Sequence, residues 1–173
     1  ALTGPLPDEL FDLYGTLESL YIAYNSFSGT LSSKLGSMKE LKSFYAYGND
    51  LTGKIPSEIA SLENLETFVV AENLLSGSLS EEFSSMKSLK LFSAFRRLKA
   101  GPKLHGPLPS FSNLPQLEGL YLDNNKFSGE IPNNFLSASL GVDLVTLSFN
   151  MLTGDVPRSL LSFDSLQLQM EGN

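Results

Sequence analysis

The chain has no cysteine and no tryptophan among its 173 residues. Without cysteine, no disulfide can staple this segment, and its residues say nothing of a redox compartment. It has one histidine, His105, and a lone imidazole without thiols cannot supply a metal cluster, so no metal and no cofactor are expected. Despite many asparagines there is no Asn-x-Ser/Thr sequon. No apolar run reaches the roughly 18 residues that a membrane-spanning helix needs. Basic side chains are scarce, with 12 Lys and Arg against 19 Asp and Glu and a net charge of −7. An acidic chain is a poor candidate for nucleic-acid binding, which relies on basic surface to displace counterions. The opening ALTGPLP has neither the basic start nor the apolar stretch of a signal peptide. A leader removed on export would leave no trace here, so secretion stays open.

What is present is a core and a period. At 42% hydrophobic, 173 residues suffice for one domain with a continuous core. The stretch GNDLTGKIP, from Gly48 to Pro56, nearly matches a phosphate-binding loop. The match fails at Ile55, where a Ser or Thr should hold magnesium. The stretch is better read as one copy of a repeat. The same grammar recurs around Asn25, Asn73, Asn125 and Asn150, and without the Asn at Leu2–Pro7 and Leu104–Pro109. Its glycines, Gly4, Gly29, Gly53, Gly77, Gly106, Gly129 and Gly154, are spaced 25, 24, 24, 29, 23 and 25 residues apart. A fixed period of this size means a solenoid whose turns bury their apolar edges against one another.

Each turn has a physical reading. The alternation in LESLYIAYN, LKSFYAYGN, LETFVVAEN, LKLFSAFRR, LEGLYLDNN and VDLVTLSFN predicts a short half-buried strand, and successive strands should form one parallel sheet. The closing Asn can donate and accept at once, so it can satisfy backbone groups where the chain leaves the strand. Stacked turn on turn, these amides predict a buried ladder. The following Gly allows an unusual backbone and a close approach. Pro7, Pro56, Pro109, Pro132 and Pro157 fix the exit dihedral. The tails, such as SEIASLENL, have apolar residues three apart, which suits short helical turns on the opposite, convex side. The chain begins just after an Asn position and stops on one, Asn173, so it reads as a single domain, 1–173, cut inside the repeat at both ends.

LKSFYAYGNDLTGKIPSEIASLENL resembles the plant-type leucine-rich repeat LxxLxLxxNxLxGxIPxxLxxL, and six further turns carry most of the pattern over essentially the whole chain. The family is best known from ectodomains of receptor-like kinases and from secreted inhibitors of polygalacturonase, with related repeats in algae. The resemblance implies an α/β fold: a right-handed solenoid of about seven turns, with a parallel sheet on the concave face and helical or 3-10 segments on the convex face. It also implies a cell-surface or extracellular setting and a binding role for the concave sheet. The chain departs from the pattern in having no paired-cysteine caps and no sequons, Ser32 and Ser80 in place of Pro, and Arg97 in place of the fourth Asn.

Strand geometry places on the concave surface the residues between and just after the buried leucines. Those expected to bind are Tyr21, Tyr24, Tyr45, Tyr47, Glu72, Phe95, Arg96, Tyr121, Asp123 and Phe149. Tyr14 is the one tyrosine of six outside this set. Tyr21 and Tyr45 fall in one column on adjacent turns, so their rings can stack, and such surfaces suit sugars or peptides. Tyr and Phe also favour strands simply because they pack well there. Between Phe95 and Gly106 lies RRLKAGPKLH, about five residues longer than the period requires. It holds Arg96, Arg97, Lys99, Lys103 and His105. This basic insertion could draw an anionic partner, although repeat loops also accept extra residues cheaply.

Catalysis is not expected. No Gly-x-Ser-x-Gly elbow is present. Asp8–Glu9 and Glu81–Glu82 fall at predicted helix starts, where acids are favoured electrostatically in any case. The sequence therefore reads as a recognition module for another protein, a peptide or a glycan, with further repeats of its own chain as possible neighbours. A structural matrix spacer and an inhibitor of a secreted hydrolase are the alternatives.

Overall fold

The computed structural model describes residues 1–12, 15–98 and 100–173. Leu13, Tyr14 and Lys99 lie outside the described residues. The predicted sheet is present: Ser19–Tyr21, Ser43–Tyr45, Thr67–Val69, Leu91–Ser93, Gly119–Tyr121, Leu144–Thr146 and Gln167–Gln169 form seven parallel strands stacked in chain order. Their central residues stand in register as Leu20, Phe44, Phe68, Phe92, Leu120, Val145 and Leu168. These side chains point into the core. Phe44 and Phe68 stack with centroids 5.5 Å apart, and Phe92 adds Phe83 and Phe111, each at 5.8 Å. The repeat thus converts a local alternation into one continuous apolar column.

A second set of ladders, which the apolar alternation does not announce, runs beside the first along the flank. Thr3–Pro5 pairs with Ser26–Ser28, Thr52–Gly53 with Leu74–Leu75, and His105–Gly106, Lys126–Glu130 and Met151–Thr153 pair in sequence. Its cause is the turn glycine, which adopts positive φ in every turn. In two of the turns a side chain there would also collide with the previous turn: a Cβ on Gly53 would lie 2.9 Å from Thr30, and one on Gly154 2.8 Å from Glu130. At Gly53 and Gly154 glycine serves the approach as well as the dihedral.

The asparagines form the expected ladder. In Asn125, Nδ2 donates to Leu122 O of its own turn at 3.1 Å and to Ala94 O of the previous turn at 3.0 Å, while Oδ1 accepts from Leu104 N at 3.3 Å. Asn49, Asn73 and Asn150 repeat this pattern, joining neighbouring turns through otherwise unmatched backbone groups.

The convex side is built from 3-10 helices at Asp8–Asp12, Ser33–Ser37, Ser57–Ser61, Glu81–Ser85 and Arg158–Ser162. Ser32 and Ser80, which stand where other turns have Pro, cap their helices by accepting from Lys34 N and Glu82 N. Glu81 also fastens the next turn. Burial alone would raise its carboxyl, but bonds from the Ser110 hydroxyl and N–H and from Ser84 outweigh that and hold it below the usual range.

Candidate functional site

The sheet's concave face carries two columns of outward side chains per turn. Tyr21 and Tyr45 are register partners on adjacent strands. Their rings stack at 4.9 Å with an interplanar angle of 13°. Two residues further along each strand path stand Tyr47, Ala71 and Phe95. Strand spacing separates Tyr47 and Phe95 by about 9.6 Å, yet their ring centroids are only 6.0 Å apart. The two rings therefore lean together over the small, buried Ala71 between them. Tyr24 meets Tyr47 edge-on at 5.0 Å. The guanidinium of Arg97 lies 5.0 Å from the centre of the Phe95 ring. Burial raises the Tyr47 phenol, and Tyr24 and Glu72 push the same way, so this hydroxyl stays neutral at physiological pH.

Tyr24 sits at a backbone bend. It precedes Asn25 in the left-handed region at φ 54°, and Glu72, Asn124 and Phe149 hold the equivalent place at 53°, 59° and 55°. At this bend Tyr24 and Phe149 stand out to solvent, at 78% and 53% exposure, whereas Glu72 is buried.

Three residues expected on this surface are instead buried. Glu72 folds inward, where its carboxylate accepts Arg97 N at 2.7 Å and Leu98 N at 2.9 Å, anchoring the start of the long insertion. Asp123 accepts from Arg97 Nε at 2.8 Å, Thr146 Oγ1 at 2.6 Å and Asn124 Nδ2 at 2.9 Å. Burial would raise its carboxyl, but these bonds outweigh it and hold it below the ordinary range. The third is Arg96. By repeat count Arg97 takes the Asn place, but this turn lacks the left-handed residue of its neighbours. The side-chain order inverts: Arg96 is buried and Arg97 faces out. Burial lowers the Arg96 guanidinium, partly offset by the charge of Glu72.

Tyr121 shares the column of Tyr21 and Tyr45, but its ring folds back along its own strand. A Cβ on Gly119 would lie 2.9 Å from Tyr121 Cε2. Only the absence of a side chain at Gly119 lets the ring lie there, and nothing in the repeat pattern marks that position. The structure therefore brings together the aromatic cluster Tyr21, Tyr24, Tyr45, Tyr47 and Phe95, edged by Arg97. Phe149 stands apart, toward the other end of the sheet.

The basic insertion divides. Arg96 and Arg97 turn to the sheet, where Arg97 is engaged by Asp123. Lys103 and His105 turn to the flank, and Lys99 lies outside the described residues. Among the described residues no group of three or more His, Asp or Glu could hold a metal ion, and no helix is long and apolar enough to cross a membrane.

These features define a leucine-rich-repeat solenoid of the plant type, in which a parallel sheet displays side chains from successive turns. The Leucine Rich Repeat family model matches residues 16–38, 40–62 and 116–138. Pollen receptor-like kinase 2 of Arabidopsis thaliana is 36% identical over 72 residues, 41% of this chain and 11% of that kinase. The leucine-rich-repeat ectodomain of the Arabidopsis receptor kinase HAESA, solved with a peptide hormone ligand, shares 29% identity over 99% of this chain at a TM-score of 0.87. A plant ice-binding protein shares 27% identity over all of this chain at a TM-score of 0.86. The chain spans 28% of the solved HAESA chain and 54% of the ice-binding protein.

Proposed function

We propose that this chain is a non-catalytic recognition module that binds an extended peptide segment across its concave face. The observation carrying this is the aromatic cluster of Tyr21, Tyr24, Tyr45, Tyr47 and Phe95. Aromatic rings with polar tips, edged by an arginine, are the side chains that dominate binding energy at protein and peptide interfaces. A glycan is the weaker choice. Sugars lie against ring faces, and the Tyr21–Tyr45 stack spends one face of each ring on the other. An extracellular setting accords with the similarity to receptor-kinase ectodomains. Selection from a random peptide display library tests the reading. Peptides enriched on the parent and lost on Tyr45→Ala with Tyr47→Ala support it. No enrichment, or enrichment unaffected by the substitutions, sends the function to a spacer or to an inhibitor acting through another face.

One observation favours a second reading. Thr3, Ser28, Thr52, Ser76, Ser128 and Thr153 stand immediately before the turn glycines, one per turn, with His105 interrupting the column. A regular hydroxyl array of this kind could order water, and one similar structure is an ice-binding protein. Thermal hysteresis of the purified protein, abolished by Thr52→Lys, would select this reading over the first.

A further inference from the structure

The structure assigns to the flank of the fourth and fifth turns a binding site for a dianionic oxyanion of the sulfate or phosphate class, held by Lys103, His105 and Lys126. The site is separate from the concave face and does not depend on what binds there. Lys103 and His105 come from the insertion. Lys126 lies 21 residues beyond His105 and was no part of any basic run. The flank ladder joins them: His105 and Lys126 are register partners on adjacent parallel strands. Parallel strands place partners roughly 4.8 Å apart with side chains on the same side. Between Lys103 and His105, Leu104 is buried, and after Lys126 so is Phe127. Alternation therefore turns Lys103, His105 and Lys126 outward together.

The charge acting on Lys103 is of one sign. Burial lowers the Lys103 ammonium, and the charged groups acting on it, Arg96 and Lys126, are both cationic and push the same way. No carboxylate is among them. The ion pairs among the described residues engage Lys34, Lys42, Lys90 and Arg97, not these three. Gathering like charges on a chain of net charge −7 is unfavourable unless an anion relieves it. Two ammonium groups and an imidazole on one side of adjacent rungs can each donate to a tetrahedral oxyanion. A dianion gains more from this group than a single carboxylate does.

The single histidine makes the test direct. Its imidazole proton signals can be followed by NMR as sodium sulfate is added at fixed pH, with sodium chloride at matched ionic strength as control. We expect a saturable displacement with sulfate and none with chloride. Lys126→Ala and Lys103→Ala, both on the solvent side, should each weaken the apparent affinity about tenfold. Lys54→Ala, elsewhere on the flank, should leave it unchanged. Equal responses to the two salts, or a sulfate response unaltered in both lysine variants, overturns the site. Phenyl phosphate, a monoester that is dianionic above a second pKa of about 6, then distinguishes the sources. Binding equal to inorganic sulfate identifies an ester group carried on a larger molecule, and binding of inorganic sulfate alone identifies the free ion.

Discussion

Arg97 Nε lies 2.8 Å from Asp123 Oδ2, and this contact joins the fourth turn to the fifth across the edge of the aromatic cluster. The carboxylate is almost wholly enclosed, with its side chain 3% exposed, while the Arg97 side chain is 56% exposed. The same guanidinium lies against Phe95. One side chain therefore both neutralises a buried acid and positions a ring of the proposed site.

Removing Arg97 should matter more than the loss of an exposed ion pair. Arg97→Ala leaves Asp123 with Thr146 and Asn124 as donors, and should cost about 1–2 kcal/mol, discounted for the exposure of the arginine. Urea unfolding at pH 7 measures this, and an unchanged midpoint would show that the pair is only decorative.

The same carboxylate predicts a pH dependence. The folded form of Asp123 holds its carboxyl below the ordinary range, so its contribution is full above the unfolded value of about 3.9. It is lost as pH falls through the folded value. Asp123→Asn should reduce the difference in unfolding midpoint between pH 7 and pH 3. A difference equal to that of the parent would place the acid sensitivity in other carboxylates.

Within the core, Leu120→Ala should cost about 2–5 kcal/mol, because the site is fully buried and neighbouring turns cannot close the cavity. Asn125→Ala should cost about 1–3 kcal/mol by orphaning the backbone groups it joins. If thermal melting of Asn125→Ala matched the parent, the amide ladder would not be a source of stability.

Two glycines separate sterics from dihedral preference. Gly129 has φ 81° and nothing within 4 Å of an added Cβ, whereas on Gly36 that atom would lie 2.4 Å from Glu58 O. Asn tolerates positive φ better than Ala, so Gly129→Asn should be more stable than Gly129→Ala. At Gly36 the order should reverse, because only size matters there. Melting temperatures of the four variants decide it.

Tyr21→Ala with Tyr45→Ala should abolish binding of a selected peptide at a stability cost of about 0.5–1.5 kcal/mol beyond the lost area, since Tyr21 is 68% exposed. Retained binding with unchanged affinity would move the contact surface off this pair.

The repeat determined the architecture because each of its parts acts locally. A leucine alternation makes a strand, an Asn closes it, and a Gly permits the bend. Turns that touch only their neighbours leave little for distant contacts to decide. The stacking of Tyr21 on Tyr45 was legible for the same reason, since one column on adjacent rungs fixes the distance. Tertiary structure decided what the pattern leaves free. The fourth turn, which lacks the left-handed bend of its neighbours, holds Arg96 buried and Arg97 exposed, where residue counting expects the reverse order. Glu72 and Asp123 turned inward because unpaired backbone amides and a guanidinium awaited them. Tyr121 lay down because Gly119 left room, and Lys126 joined His105 through a flank ladder that apolar periodicity does not encode. Period sets which rung a residue occupies, whereas the direction of a polar side chain depends on the partners that packing brings to it.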